Sequence, residues 1–255
     1  MTESLPANLI PGAEPTTWEG GPVGALVLHG FTGNPGSMRA LAERLAAAGF
    51  TVDLPLLPGH GTVVEDMLET GWADWSAHAE ARYQALAARC EQVVVVGLSM
   101  GGALTAWLGS EHPEIAGLVC INAVVTVPPG MREAVQEVLA TGADRFAGIG
   151  SDIADPEVVE TAYAETPLAP LLTMFDAADT LGDRLSRITS PMLVITSRDD
   201  HVVPPDNSDV LAASVSGPVE RMWCERSYHV VTQDYDKELV FDATVDFAQK
   251  VTAGA

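Results

Sequence analysis

The chain has 255 residues, 47% of them hydrophobic, with 13 Lys and Arg against 35 Asp and Glu, for a formal charge of −22. That length can bury one sizeable core and fits a single α/β domain with an insertion. The negative charge sets aside nucleic acid and anionic membrane surfaces as partners, since both would repel it, and suits an uncharged substrate.

After a loose N-terminal stretch, Gly24–Leu28 reads as a buried strand that runs into His29-Gly30-Phe31-Thr32-Gly33. Ser37–Ala48 reads as a helix closed by Gly49 at its C-cap. Thr51–Leu57 is the next strand, interrupted by Pro55 and ended by Pro58-Gly59-His60-Gly61; the alanine-rich run Ala73–Arg89 is helical. Val93–Val96 has no polar alternation, as expected of a strand covered on both faces. It leads through Gly97-Leu98-Ser99-Met100-Gly101 into a helix that ends before Pro113, and Ile115–Val124 is a further buried strand. Alternating strands and helices predict a mostly parallel sheet with helices on both faces.

From about 126 to 190 the rhythm breaks. Pro128-Pro129-Gly130 opens a segment with three expected helical pieces, Met131–Leu139, Pro156–Ala164 and Leu168–Leu185. We read this segment as a cap over the carboxyl ends of the strands, inserted into a core formed by 1–125 and 191–255. Alternation resumes with the strands Met192–Thr196 and Glu220–Cys224. Cys90, Cys120 and Cys224 form no C-x-x-C pair and read as free thiols. Met1–Gly12 has neither a basic nor an apolar leader region, and no run approaches ~18 apolar residues, so a cytoplasmic protein without a membrane span is expected.

The stretch at 97–101 fits the G-x-S-x-G elbow, a strained strand-to-helix turn that lifts a serine hydroxyl clear of the sheet. The serine then stands at a helix N-terminus, where backbone N–H groups favour an oxyanion. A serine hydroxyl is a poor nucleophile at neutral pH and needs a base, itself oriented by a third group. In chain order after Ser99 come Asp199-Asp200-His201 and then Ser227-Tyr228-His229, each in a loop after a strand. His229 is the expected base. His78 and His112 read as solvated helix-surface residues, His29 and His60 as loop pins, and His201 lies too near the acid to serve as base. Adjacent residues of an extended segment point opposite ways, so spacing leaves Asp199 and Asp200 open as the acid. The expected oxyanion donors are the backbone N–H groups of Phe31 and Met100. A metal site is not expected, since no H-E-x-x-H pattern is present.

His-Gly-Phe-Thr-Gly at 29–33, Pro-Gly-His-Gly at 58–61, Gly-Leu-Ser-Met-Gly-Gly at 97–102, Asp-His-Val-Val-Pro-Pro at 200–205 and Ser-Tyr-His-Val at 227–230 together resemble the bacterial monoacylglycerol lipases. These are α/β-hydrolases close to the small bacterial carboxylesterases. The likeness extends to Ile149-Gly150-Ser151-Asp152 and Glu165-Thr166-Pro167 in the cap. It implies an α/β-hydrolase fold, a Ser99-Asp200-His229 triad, and Ile149 and Glu160 near the glycerol end of the site. It also implies hydrolysis of monoacylglycerols to glycerol and fatty acid through an acyl-enzyme, with no cofactor. The alternative on the same triad is a general carboxylesterase of short- to medium-chain esters.

Overall fold

The computed structural model describes Pro6 and residues 8–253, so the N-terminal stretch read for a leader lies partly outside the described residues. In chain order the elements are β1 (Thr16–Trp18), β2 (Val23–Leu28), α1 (Arg39–Ala47), β3 (Thr51–Leu54), α2 (Val64–Leu68), α3 (Trp72–Ala87), β4 (Gln92–Leu98), α4 (Met100–Glu111) and β5 (Gly117–Ile121). There follow α5 (Met131–Ala140), β6 (Arg145–Ala147), β7 (Glu165–Pro167), α6 (Leu168–Gly182), β8 (Met192–Ser197), α7 (Asp206–Ser214), β9 (Val219–Cys224) and α8 (Lys237–Val251).

Seven strands form one sheet in the order β1-β3-β2-β4-β5-β8-β9. All neighbours are parallel except the antiparallel edge pair of β1 and β3. The period-2 geometry of a strand splits its side chains between two cores. Ala25, Val27, Val94 and Val96 face the side covered by Leu41 and Leu45 of α1 and Phe241 and Phe247 of α8. Leu26, Leu28, Val93 and Val95 face the side covered by Trp75 and Tyr83 of α3, Leu104 of α4 and Met174 of α6. This two-sided burial is why Val23–Leu28 and Val93–Val96 carry no polar side chain. At the far edge, the guanidinium groups of Arg198 and Arg221 lie over the Trp223 ring of β9, at 4.0 and 5.1 Å from its centroid.

Two expected strands are shorter than read. β3 stops at Leu54 because Pro55 has no N–H to continue the ladder. β5 stops at Ile121 because Asn122 turns into the left-handed region at φ 44°. Between β5 and β8 the chain leaves the sheet and runs through α5, the antiparallel pair of β6 and β7, and α6.

The helix expected at Pro156–Ala164 is not formed. Residues 148–164 instead make an irregular loop that joins β6 to β7. Pro156 and the β-branched Val158, Val159 and Thr161 are poor helix formers, and backbone groups here are taken by distant partners. The Ala154 and Asp155 amides donate to Asp234, Asn34 Nδ2 donates to the Thr161 carbonyl, and the Tyr163 amide donates to Thr32 O at 3.1 Å. No helix among the described residues is long and apolar enough to cross a membrane.

Candidate active site

Ser99 sits between β4 and α4 with φ 58° and ψ −117°, a conformation costly for a residue bearing Cβ. The corner closes only because its flanks are glycine. A Cβ on Gly97 would lie 2.0 Å from the Gly101 carbonyl oxygen, and one on Gly101 would lie 2.3 Å from that of Leu28. Hydrogen bonds hold the turn: Ser99 N donates to Ile121 O at 2.9 Å, and Ala103 N donates to Ser99 O at 3.0 Å.

The loop after β2 packs directly on this corner, since a Cβ on Gly30 would lie 3.3 Å from Ser99 Cβ. His29 pins that loop. Its Nε2 accepts the Leu57 amide at 3.1 Å and its Nδ1 donates to the Gly30 carbonyl at 2.9 Å, which fixes a neutral ring. Burial holds the His29 pKa well below the ordinary imidazole value. His60 donates from Nδ1 to Pro58 O at 2.9 Å and packs edge-on against His29, Phe31 and Trp75, and burial lowers its pKa to about 4. Phe31 thus stands in a cluster of rings beside Ser99. The expected oxyanion donors, the amides of Phe31 and Met100, directly follow Gly30 and Ser99 in the chain.

The loops after β8 and β9 bring Asp200 and His229 together. Asp200 Oδ2 accepts from His229 Nδ1 at 2.7 Å, while Oδ1 accepts the Val202 and Val203 amides at 2.9 and 2.8 Å. With Nδ1 committed, the ring keeps Nε2 for another partner. Asp199 is exposed and makes no such pair. Burial opposes charging His229, but the Asp200 hydrogen bond and charge outweigh it, with help from Glu160 and Asp152, and the pKa is raised.

Ser99, Phe31 and His229 line one cavity of about 350 Å³, within the roughly 300–1,000 Å³ typical of small-molecule sites. Its apolar wall includes Val124, Met131, Phe146, Leu171, Met174 and Phe175, all from the segment between β5 and β8. Ile149 and Glu160 line the same cavity, and Ile149 is 64% exposed at its rim. Burial raises the Glu160 pKa, against the pull of the His229 charge.

His112 is not a freely solvated residue. Its ring lies between Glu80 and Glu114, with Nε2 2.8 Å from Glu80 and Nδ1 3.1 Å from Glu114. Three polar side chains that brace the site were not read from the sequence: Asn122, Asp152 and Asp234. Each does its work through backbone groups of loops distant in the chain, a relation no local pattern records.

The family model described as "Serine aminopeptidase, S33" matches residues 24–236. The chain is 44% identical to a thermostable monoacylglycerol lipase of Bacillus sp. (strain H-257), over 98% of this chain and 99% of that protein. It is 28% identical to a carboxylesterase of Bacillus subtilis (strain 168), over 93% and 97% of the two chains. A solved structure from work on two metagenome-derived lipolytic enzymes, LipS and LipT, superposes with a TM-score of 0.91 at 40% identity, covering 95% of this chain and 99% of that one.

Proposed function

This chain belongs to the Serine aminopeptidase, S33 family of hydrolases, and from that premise we propose that it is a serine esterase that cleaves monoacylglycerols to glycerol and fatty acid. One observation carries the reading. The Asp200–His229 pair opens onto the same cavity as Ser99, and that cavity is walled by apolar side chains suited to one acyl chain.

In this reading Ser99 Oγ attacks the ester carbonyl as His229 Nε2 takes its proton. Asp200 holds the ring by Nδ1 and stabilises the imidazolium. The developing oxyanion is received by the amides of Phe31 and Met100, each such donor supplying about 3 kcal/mol of transition-state stabilisation. His229 returns the proton to the departing glycerol oxygen. Water deprotonated by the same ring then attacks the acyl-enzyme, and the proton passes back to Ser99 as the fatty acid leaves. Glu160 and Ile149 stand at the glycerol end. Residues 126–190 act as the cap, and 1–125 with 191–255 as the core. The free thiols of Cys90, Cys120 and Cys224 support a reducing, cytoplasmic setting.

The test is kcat/KM of the purified protein for mono-, di- and triacylglycerols and for p-nitrophenyl butyrate, with Ser99→Ala as the inactive control. Preference for monoacylglycerol is expected. Turnover of the butyrate ester without monoacylglycerol hydrolysis would assign the chain to the carboxylesterases instead.

A further inference from the structure

The loop of residues 148–164 bridges the two sides of the site. At one end Tyr163 and Thr161 bond to Thr32 and Asn34 beside the oxyanion loop. At the other end Asp152 enters the histidine side. Its Oδ2 accepts the backbone amides of His201 at 3.2 Å and His229 at 3.1 Å, and its Oδ1 lies 2.8 Å from His201 Nδ1. Its own carbonyl accepts the Val230 amide at 3.1 Å. The Asp152 side chain is 11% exposed, lines the cavity, and joins the loop after β8 to the loop after β9.

We propose that Asp152 is a positioning residue for the histidine base: a carboxylate from the cap that locks the Asp200 and His229 loops together and makes base geometry depend on the seating of residues 148–164. The inference rests on the reading of His229 as the base.

Asp200 and His229 meet through one side-chain bond, and the peptide groups flanking them need a fixed spacing to keep it aligned. Asp152 supplies that spacing from outside both loops. The carboxylates facing His229 are Asp200, Glu160 and Asp152, and the cation-forming groups facing Asp152 are His201 and His229. Asp152 therefore also adds negative charge beside the ring that becomes an imidazolium during the reaction. Asp234 separately binds the Ala154, Asp155 and Tyr228 amides, so the histidine end of the 148–164 loop stays anchored when the Asp152 side chain is replaced.

Two variants separate geometry from charge. Asp152→Ala removes both. Asp152→Asn can keep the three bonds, with its Oδ1 accepting both amides and its Nδ2 donating to His201 Nδ1, while losing the charge. Wild type and Ser99→Ala are measured first on a p-nitrophenyl ester, which establishes the serine hydrolase independently. Asp152→Ala is then expected to lower kcat roughly ten- to a hundredfold, the scale of losing charge-assisted bonds, with a smaller change in KM. Asp152→Asn recovers most of that loss, and both variants move the acid limb of kcat/KM to lower pH. A loss confined to KM with the acid limb unmoved, or an Asp152→Ala variant that matches wild type, would overturn the proposal. Should Asp152→Ala fail to fold by circular dichroism, the acid limb of Asp152→Asn decides alone.

Discussion

Asn122, at the end of β5, reaches the carbonyl of His229, two loops away, with an Nδ2 to O distance of 2.7 Å. The same side chain accepts the Ser197 amide at 2.8 Å and donates to Ser197 Oγ, which in turn donates to the Tyr228 carbonyl. One buried amide thus ties the start of the acid loop to the base. Asn also tolerates φ 44° better than other residues with a Cβ.

Asn122→Ala leaves the His229 carbonyl and the Ser197 amide without this partner in a buried site. It is expected to cost about 2–4 kcal/mol of stability, read by urea denaturation, and to lower kcat more than KM. Wild-type denaturation together with wild-type kcat would show that the bracket is idle.

Activity is expected to fall as pH drops, along a limb set by His229, because only the neutral ring can accept the Ser99 proton. Burial opposes the charged ring, but Asp200, Glu160 and Asp152 favour it more, so the limb lies above the ordinary imidazole value of 6.5. A kcat/KM profile of the free enzyme locates it. Asp200→Asn should reduce kcat by roughly 10⁴, as loss of the tautomer-setting acid does in other triads.

Stability should fall in mild acid. In the unfolded chain His60 takes up a proton near the ordinary imidazole value of 6.5, but in the folded state it resists until about 4. Between those values the unfolded state binds more protons, so lowering the pH favours unfolding, by about 3 kcal/mol at full extent. His29 is shifted in the same direction and adds to the effect. Melting temperatures measured from pH 7 to pH 4 should decline, and His60→Phe should flatten the slope. A slope identical in the variant would place the acid sensitivity elsewhere.

Arg82 forms a two-bond pair with Asp53 of β3, at 2.7 and 2.8 Å, and the Asp53 side chain is only 4% exposed. Arg82→Ala strands a buried carboxylate and should cost about 3 kcal/mol. The double variant Asp53→Val with Arg82→Ala removes the stranded charge and should regain part of that loss. A double variant as unstable as Arg82→Ala would show that the carboxylate is not the source of the cost.

The parts of this molecule that could be read in advance are those where chemistry is local. The valine run of β4 and the glycines around Ser99 mark the elbow, because burial and backbone strain leave their trace within ten residues. Asp200 differs from Asp199 only in where a loop turns, so spacing left them equal and family resemblance had to separate them. The helix expected at 156–164 does not form, because its β-branched residues favour extended backbone and the partners that hold the loop, Asp234, Asn34 and Thr32, lie far off in the chain. His112 differs from its expected solvated state for the same reason: Glu80, on the neighbouring helix, is a partner its own helix does not show.

The rings and charges at β9 bear on how this protein behaves in crowded solution. As the last strand of the sheet it offers an unclaimed ladder of peptide groups, the template on which chains add to one another. Arg198 and Arg221 rest over Trp223, and their ion pairs with Glu225 and Asp209 gather charged groups of both signs along this border. Charged side chains on an edge strand are a means of discouraging a second copy from pairing with it.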